Sequence, residues 1–462
     1  MPVYSHRPPP QPARLSIAEP MTAVDFAIAA LASLGLIGSW AADVIVAETS
    51  AIALDWDKSL VMVAEKTSAY YAAHGVGLAC VMLAGLLAAL RGRFRTAGAG
   101  VAVAFYILAA TAIVWAVASY PVQDLCSSKV LSATGPFAWL TLLLLLAGVS
   151  RATWTYLDPV IRLLAYLSAA LSLRALTTMD YGYYHGFSKY LQYTIFLMWL
   201  GGWTLLTATR MRGWRLLVRS IPAMVMVVMA LFTQSRSWTI LSLLLFATFA
   251  LLRARERGAF AAAVRSLVLG VVVCLSVGAL AYEAMPGKLG VAVSGLAARL
   301  GQDTRSDQYT QFFNSVPVTD LLFGRGPLGT WYWEDVGDYQ YFDNGYLWIL
   351  FEGGVPTLVC FIAIVLWPAF RVWRRKPTGD DAAAASMVLI WGLALTGLST
   401  FTLPTLSVAS YMIALLAGRC WLVLAETAEQ RVRPAAGAAS PGGPSWRTAG
   451  PLGAGRRAIE DA

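Results

Sequence analysis

The chain is a succession of apolar runs, each long enough to cross a bilayer and each ended by a polar or charged connection. About 20 apolar residues span the roughly 30 Å of hydrocarbon as a helix. Inside lipid every backbone N–H and C=O must be satisfied internally, which leaves only helices and closed barrels. Twelve helical spans are expected, at approximately 22–47, 67–90, 97–120, 133–150, 158–178, 189–209, 214–233, 237–252, 266–286, 343–368, 384–402 and 405–424. The expected fold class is therefore an all-α polytopic membrane protein. Composition agrees: 13% of residues are charged, about half the share in soluble domains, and mean hydropathy is +0.61. Seventeen Trp and 19 Tyr, many flanking apolar runs, suit the aromatic belts of membrane interfaces.

A net charge of +9 could indicate nucleic acid, but its distribution excludes that partner. The basic residues fall in short clusters between spans: RGRFR at 91, RMRGWRLLVR at 210, RARER at 253 and RVWRRK at 371. With the N-terminus inside, 23 of the 35 Lys and Arg fall in cytoplasmic segments, 9 in external ones and 3 (Arg162, Arg174, Arg419) within helices. That asymmetry places both termini in the cytoplasm. Residues 1–20 carry no apolar signal core and read as a cytoplasmic tail, 21–426 as the membrane domain, and 427–462, rich in Ala, Gly and Pro, as a disordered tail. The Cys residues (80, 126, 274, 360, 420) lie mostly in apolar runs without a CxxC spacing, and His6, His74 and His185 are far apart, so no metal centre or disulfide framework is expected.

One connection, about 286–342 on the external side, is too long to be a plain turn, and loops of that length usually carry a function. Within it DTRSDQYTQFFNS, from Asp303, reads as a short amphipathic helix whose apolar side, Tyr309, Phe312 and Phe313, suits the membrane surface. LLFGRGPLGTWYW follows, then YQYFDNGYLW leading into the next span.

The stretch TQSRSW sets Arg236 between two apolar runs, with 16 uncharged residues between it and Arg253. A helix of that length covers about 24 Å, less than the hydrocarbon thickness, so Arg236 is expected at or just below the external surface. An ionisable residue there is either functional or snorkels to headgroups. Arg305 is on the same side; alone it reads as a solvated charge. Gly324, Gly326 and Gly329 around Arg325 permit sharp turns and could leave N–H groups to cradle an anion, or simply form a loop. Asp343 opens a span, where it could cap the helix or face the external cavity as a general base. Glu352, nine residues on, is expected to face protein and pair, with the GGVP after it kinking the helix. Trp331, Tyr332 and Trp333 read as sugar-stacking platforms or as interface anchors.

Taken in order, TQSR ending at Arg236, RSDQYTQFF at Arg305, FGRGPLG at 324–330 and DNGYLWILFEGG from Asp343 resemble the O-antigen ligase and Wzy-type polysaccharide polymerase superfamily. The resemblance covers about residues 215–370; the first six helices match in hydropathy alone. It implies a GT-C-like inner-membrane glycosyltransferase using glycans on undecaprenyl pyrophosphate at the periplasmic face, with no metal and no nucleotide sugar. It also implies that Arg236 and Arg305 hold the donor pyrophosphate, which suits guanidinium forks. Substrate contacts are expected from Arg325, Gly324, Gly326, Tyr309, Asn344 and Trp331. Ligases of this family commonly carry His where this chain has Asp343, and that departure favours an exopolysaccharide or O-antigen polymerase, with Asp343 as base or orienting group. The alternatives are a ligase moving finished glycan onto lipid A core or protein, and a lipid-linked oligosaccharide flippase. Against the flippase stand the lack of an internal repeat and the long external loop. Expected partners are the lipid-linked oligosaccharides and the bilayer, with a chain-length regulator and export proteins beside them.

Overall fold

A computed structural model describes residues 21–54, 60–64, 67–119, 136–178, 193–232, 236–257, 305–326, 329–334, 337–339, 342, 344–398 and 407–437, with isolated positions at 283, 290 and 294. The chain divides into a unit of 424 residues, Met1–Leu424, and a second, Ala425–Ala462. Among the described residues eight helices are long and apolar enough to cross a membrane. They are α1 (Ala23–Thr49), α2 (Ser68–Leu90), α4 (Ala99–Ser119), α6 (Arg151–Thr178), α8 (Trp214–Phe232), α9 (Arg236–Arg257), α12 (Gly345–Arg374) and α14 (Val408–Gly437).

Between these lie shorter pieces. An antiparallel hairpin, β1 (Ser50–Leu54) with β2 (Leu60–Ala64), joins α1 to α2 with Ser50 opposite Ala64. The short α3 (Arg93–Ala97) precedes α4. The run expected as a span at 133–150 is a 3-10 segment, Pro136–Leu144, continued by α5 (Leu145–Gly148). The run at 189–209 is α7 (Tyr193–Leu206), with a π turn at Leu197–Gly201. The run at 384–402 is α13 (Gly379–Leu393), extended by a π turn, Ala394–Leu398. The run at 266–286 lies outside the described residues apart from position 283. Helix α14 continues to Gly437, ten residues past the boundary expected for the tail; Ala and the Glu429–Arg433 spacing favour helix there.

Close backbone contacts built on small residues hold the bundle. A Cβ on Gly418 of α14 would lie 1.9 Å from the Leu145 carbonyl oxygen, and one on Gly148 would lie 2.1 Å from that of Leu415. Small-residue contacts of this kind let helices pack where lipid offers no hydrophobic drive.

The charges sort the helix ends. Arg93 is buried, bonds Asp25 at 2.7 Å and donates to the Ala147 carbonyl and the Thr153 hydroxyl. Asp381 binds Arg151 at 2.7 Å and Arg419 at 2.8 Å, and the Arg419 guanidinium lies 5.2 Å from the centre of the Trp154 ring. Glu256 pairs with Arg210 and accepts the Gly379 N–H and the Thr209 hydroxyl. Arg253 is buried and donates to the Met211 carbonyl, while Arg255 lies 5.8 Å from the Trp373 ring. Through these bonds the four basic clusters gather at one end of the bundle. Arg236, the start of α12 and the far end of α1 lie at the other.

Candidate functional site

The site begins where two apolar helices meet in a hairpin. Helix α9 starts at Arg236, a half-buried side chain, and runs 22 residues to Arg257. Trp238, Leu241 and Leu245 face inward behind it. Arg236 therefore stands at the bundle end opposite the basic clusters, as expected. Arg305 opens α10 (Arg305–Ser315). Its side chain, and the whole of Asp343, lie outside the described residues.

The helix expected to rest on the membrane packs on protein instead. Gln308, Phe312 and Val316 of the α10 segment are buried at a spacing of four, while Phe313 is exposed and Tyr309 half-buried. Phe312 centres an aromatic cluster: its ring lies 5.6 Å from Trp331, 4.4 Å from Phe342 and 5.7 Å from Phe351. Trp331 stacks on Phe342 at 5.2 Å and on Trp333 at 5.8 Å. Strand β3 (Trp331–Trp333) pairs with β4 (Gly337–Tyr339), and Glu334 N–H donates to Gln311 on α10. Trp331 is 2% exposed, so its faces are already occupied by neighbouring rings; Tyr332 is the exposed ring of the three.

The glycine turn is bound to a break in α12. Gly354 has φ 72° and ψ 179°, and Pro356 follows. A helix carbonyl normally accepts from the N–H four residues on; Pro356 has no N–H to return to Glu352, and the break turns the next donor away from Phe351. Both vacancies are filled from the loop. Arg325 N–H donates to the Phe351 carbonyl at 2.7 Å, and Gly326 N–H donates to Glu352 at 3.0 Å. The Thr357 hydroxyl takes the third carbonyl, that of Gly353, at 2.6 Å. The contact is close on both sides. A Cβ on Gly324 would lie 2.5 Å from the Glu352 carbonyl oxygen, and one on Gly354 would lie 2.5 Å from that of Leu322. The N–H groups of Arg325 and Gly326, which the glycine pattern suggested for an anion, thus hold a helix instead. The Arg325 side chain remains 45% exposed and pairs with Asp320 of α11 (Val318–Phe323) at 3.4 Å.

The start of α12 differs from expectation by one residue. Asn344, not Asp343, is the N-cap: its side-chain oxygen accepts the N–H groups of Tyr346 and Leu347, at 3.0 and 3.3 Å. Tyr346 donates its hydroxyl to the Gly392 carbonyl of α13 at 2.6 Å, pinning this end. Glu352, expected to face protein and pair, takes a hydrogen bond from the Trp348 side chain one turn earlier.

Polar groups outside these motifs share the same bundle end. Glu48 of α1 pairs with Arg174 of α6 at 2.6 Å and accepts the Tyr193 hydroxyl of α7. Asp43 accepts the Val408 N–H at the start of α14. Carboxylates within apolar runs were the sequence signal for both.

No group of three or more His, Cys, Asp or Glu that could hold a metal occurs among the described residues. Comparison with curated proteins gives no match. Residues 221–362 match the model of a family described as O-antigen ligase. The matched stretch runs from the middle of α8 through Arg236 and the loop to just past the break in α12, where the motifs read from the sequence are found. Over these residues the chain is similar to that family, a match consistent with the O-antigen ligase and Wzy superfamily.

Proposed function

We propose that the protein is a membrane glycosyltransferase that polymerises lipid-linked oligosaccharide repeat units at the periplasmic face of the inner membrane. The observation that carries this reading is the O-antigen ligase match over 221–362, in a membrane helix bundle whose matched segment presents Arg236 at the end opposite the basic clusters. The donor is a glycan on undecaprenyl pyrophosphate and the acceptor a second lipid-linked unit. An acceptor hydroxyl attacks the anomeric carbon, a new glycosidic bond forms, and the bond to the pyrophosphate oxygen breaks. Arg236 and Arg305 bind the diphosphate and stabilise the charge it gains as it leaves, the role that fixed cations fill where charge develops. Asp343 orients the hydroxyl and accepts its proton. An aspartate is a weak base at its usual pKa of about 3.9 and acts as one only where its surroundings raise that value.

The description of the matching family favours a second reading, transfer of finished glycan to a lipid or protein acceptor. Analysis of lipid-linked intermediates in a deletion strain separates the two. A polymerase deletion leaves single repeat units, exported and attached; a ligase deletion leaves long chains still on the lipid carrier. Arg236→Ala is expected to reproduce the deletion while inserting normally. Single units trapped on the inner leaflet would instead identify a flippase.

A further inference from the structure

Helix α11 turns three of its four apolar side chains outward. Val318 is 69% exposed and Phe323 72%, with Leu322 exposed beside them. Leu321 packs on the core from the opposite side. Apolar groups of this size, clustered on one surface, mark a contact with a partner or a membrane.

What lies beside the cluster identifies the partner. The backbone of Leu322–Gly324 is seated on Gly354 of α12, so α11 abuts the next exposed residue, Val355. From Val355 an outward stripe runs along α12 through Val359, Ile362 and Phe370. This helix qualifies as a membrane span, and its outward apolar stripe is a lipid-facing surface. The exposed side of α11 continues that stripe at the Arg236 end. Immediately past it stands Arg325, half-exposed, a cation where the hydrocarbon gives way to phosphates.

We propose that α11 is a membrane-seated helix: Val318, Leu322 and Phe323 enter the leaflet at the Arg236 end, and Arg325 meets lipid phosphate at its surface. Seating of this kind follows the general behaviour of short interfacial helices. It transfers the membrane-surface role expected of α10, whose Phe312 is committed to the aromatic cluster, to the next helix. It also fixes the depth of the loop, since the turn at 324–326 is bound to α12 on one side and to lipid on the other.

Photo-crosslinking tests this without any assay of activity, so its outcome is separate from the fate of the glycosyltransferase reading. The full chain is reconstituted in vesicles of phosphatidylethanolamine and phosphatidylglycerol with Phe323→benzoylphenylalanine, and lipid adducts are measured by mass spectrometry. Val359→benzoylphenylalanine is the lipid-facing reference and Glu334→benzoylphenylalanine, an exposed residue of the hairpin, the aqueous one. Adduct yield at 323 is expected to match that at 359 and to exceed that at 334 several-fold. Leu322→benzoylphenylalanine, at the adjoining position, should give the same result and guards against a local distortion. A yield at both positions no higher than at 334, or adducts to protein in place of lipid, overturns the proposal.

Discussion

Gly354→Ala tests the coupling between the loop and α12. The native φ of 72° and ψ of 179° lie in a region that is essentially glycine-only, and holding another residue there costs on the order of 1–3 kcal/mol. The added Cβ would also meet the Leu322 oxygen at 2.5 Å and the Phe323 carbonyl carbon at 2.6 Å, both backbone atoms that cannot rotate aside. The turn must lift, and the bonds from Arg325 and Gly326 to Phe351 and Glu352 go with it. Two such bonds, with buried carbonyls left unmet, are worth about 2–3 kcal/mol. At 1.4 kcal/mol per decade the open loop becomes on the order of 50-fold more populated. Trypsin cleavage after Arg325 reads this directly, because cleavage through a rapid opening follows the open population. Gly98→Ala is the control: Gly98 has φ 103° and ψ 155°, a similar backbone, but nothing within 4 Å of its Cβ position. It should lower thermal stability without changing cleavage at Arg325. Unchanged cleavage in Gly354→Ala, or equal acceleration in both variants, would refute the reciprocal packing.

Further outcomes follow from individual contacts. Asn344→Ala should lower thermal stability by about 1 kcal/mol, the usual worth of an N-cap, whereas Asp343→Asn should leave it unchanged because the cap is Asn344; loss of glycan transfer in stable Asp343→Asn then marks the carboxylate as chemical, and full activity removes it as the base. Arg419→Met takes a buried guanidinium from half-buried Asp381 and exposed Asp380, and losing hydrogen bonds to a charged group costs about 1.5–3 kcal/mol, measurable as a lowered unfolding midpoint in detergent. Asp381 stands in the first turn of α13, ahead of the apolar stretch from Ala382; burial pushes its carboxyl up, but Arg151 and Arg419 outweigh this and hold it below the usual range. Its contribution to stability is therefore full above the ordinary carboxylate value near 4 and disappears as pH falls through the lowered native value. Unfolding midpoints of wild type and Asp381→Asn should differ at pH 7 and converge as the medium is acidified below about 4.

Eight of the twelve expected spans are long apolar helices among the described residues, legible because period, length and charge in lipid are strongly constrained. The four basic clusters from 91, 210, 253 and 371 could be assigned to one side from sequence; the pair Arg210–Glu256 joins the second to the third, and Arg255 over the Trp373 ring joins the third to the fourth. The kink after Glu352 was legible too, since GGVP has both a glycine and a missing donor. Its partner was not. Nothing in FGRG states that its N–H groups go to carbonyls 26 residues further on, because that pairing is tertiary and glycine reports only permission, not destination. Likewise the α10 face was misread because buried Gln308 broke the apolar pattern, and the hairpin Ser50–Ala64 was missed because a two-stranded piece leaves little more than β-branched residues as a trace.

The loop and the span are therefore one structure, with a reason rooted in the membrane. A helix that breaks in or near hydrocarbon exposes carbonyls that lipid cannot satisfy, so a break is tolerable only where protein donors reach it. Here the donors come from the turn at 324–326 and from Thr357. The same bonds fix Arg325 and, through the aromatic cluster of Phe312, Trp331, Phe342 and Phe351, the end of the loop that leads to Asn344. The family match takes in these same parts. It starts in α8, takes in the hairpin bearing Arg236 and the whole loop, and stops at Ile362, eight residues beyond Gly354 and just after the helix has resumed. What lies past that point is the rest of α12, down to its basic end at Arg374. Of the two proposed ligands of the diphosphate, Arg236 thus rides on the bundle and Arg305 on the docked loop. Gly354→Ala should consequently impair transfer more than its loss of stability explains.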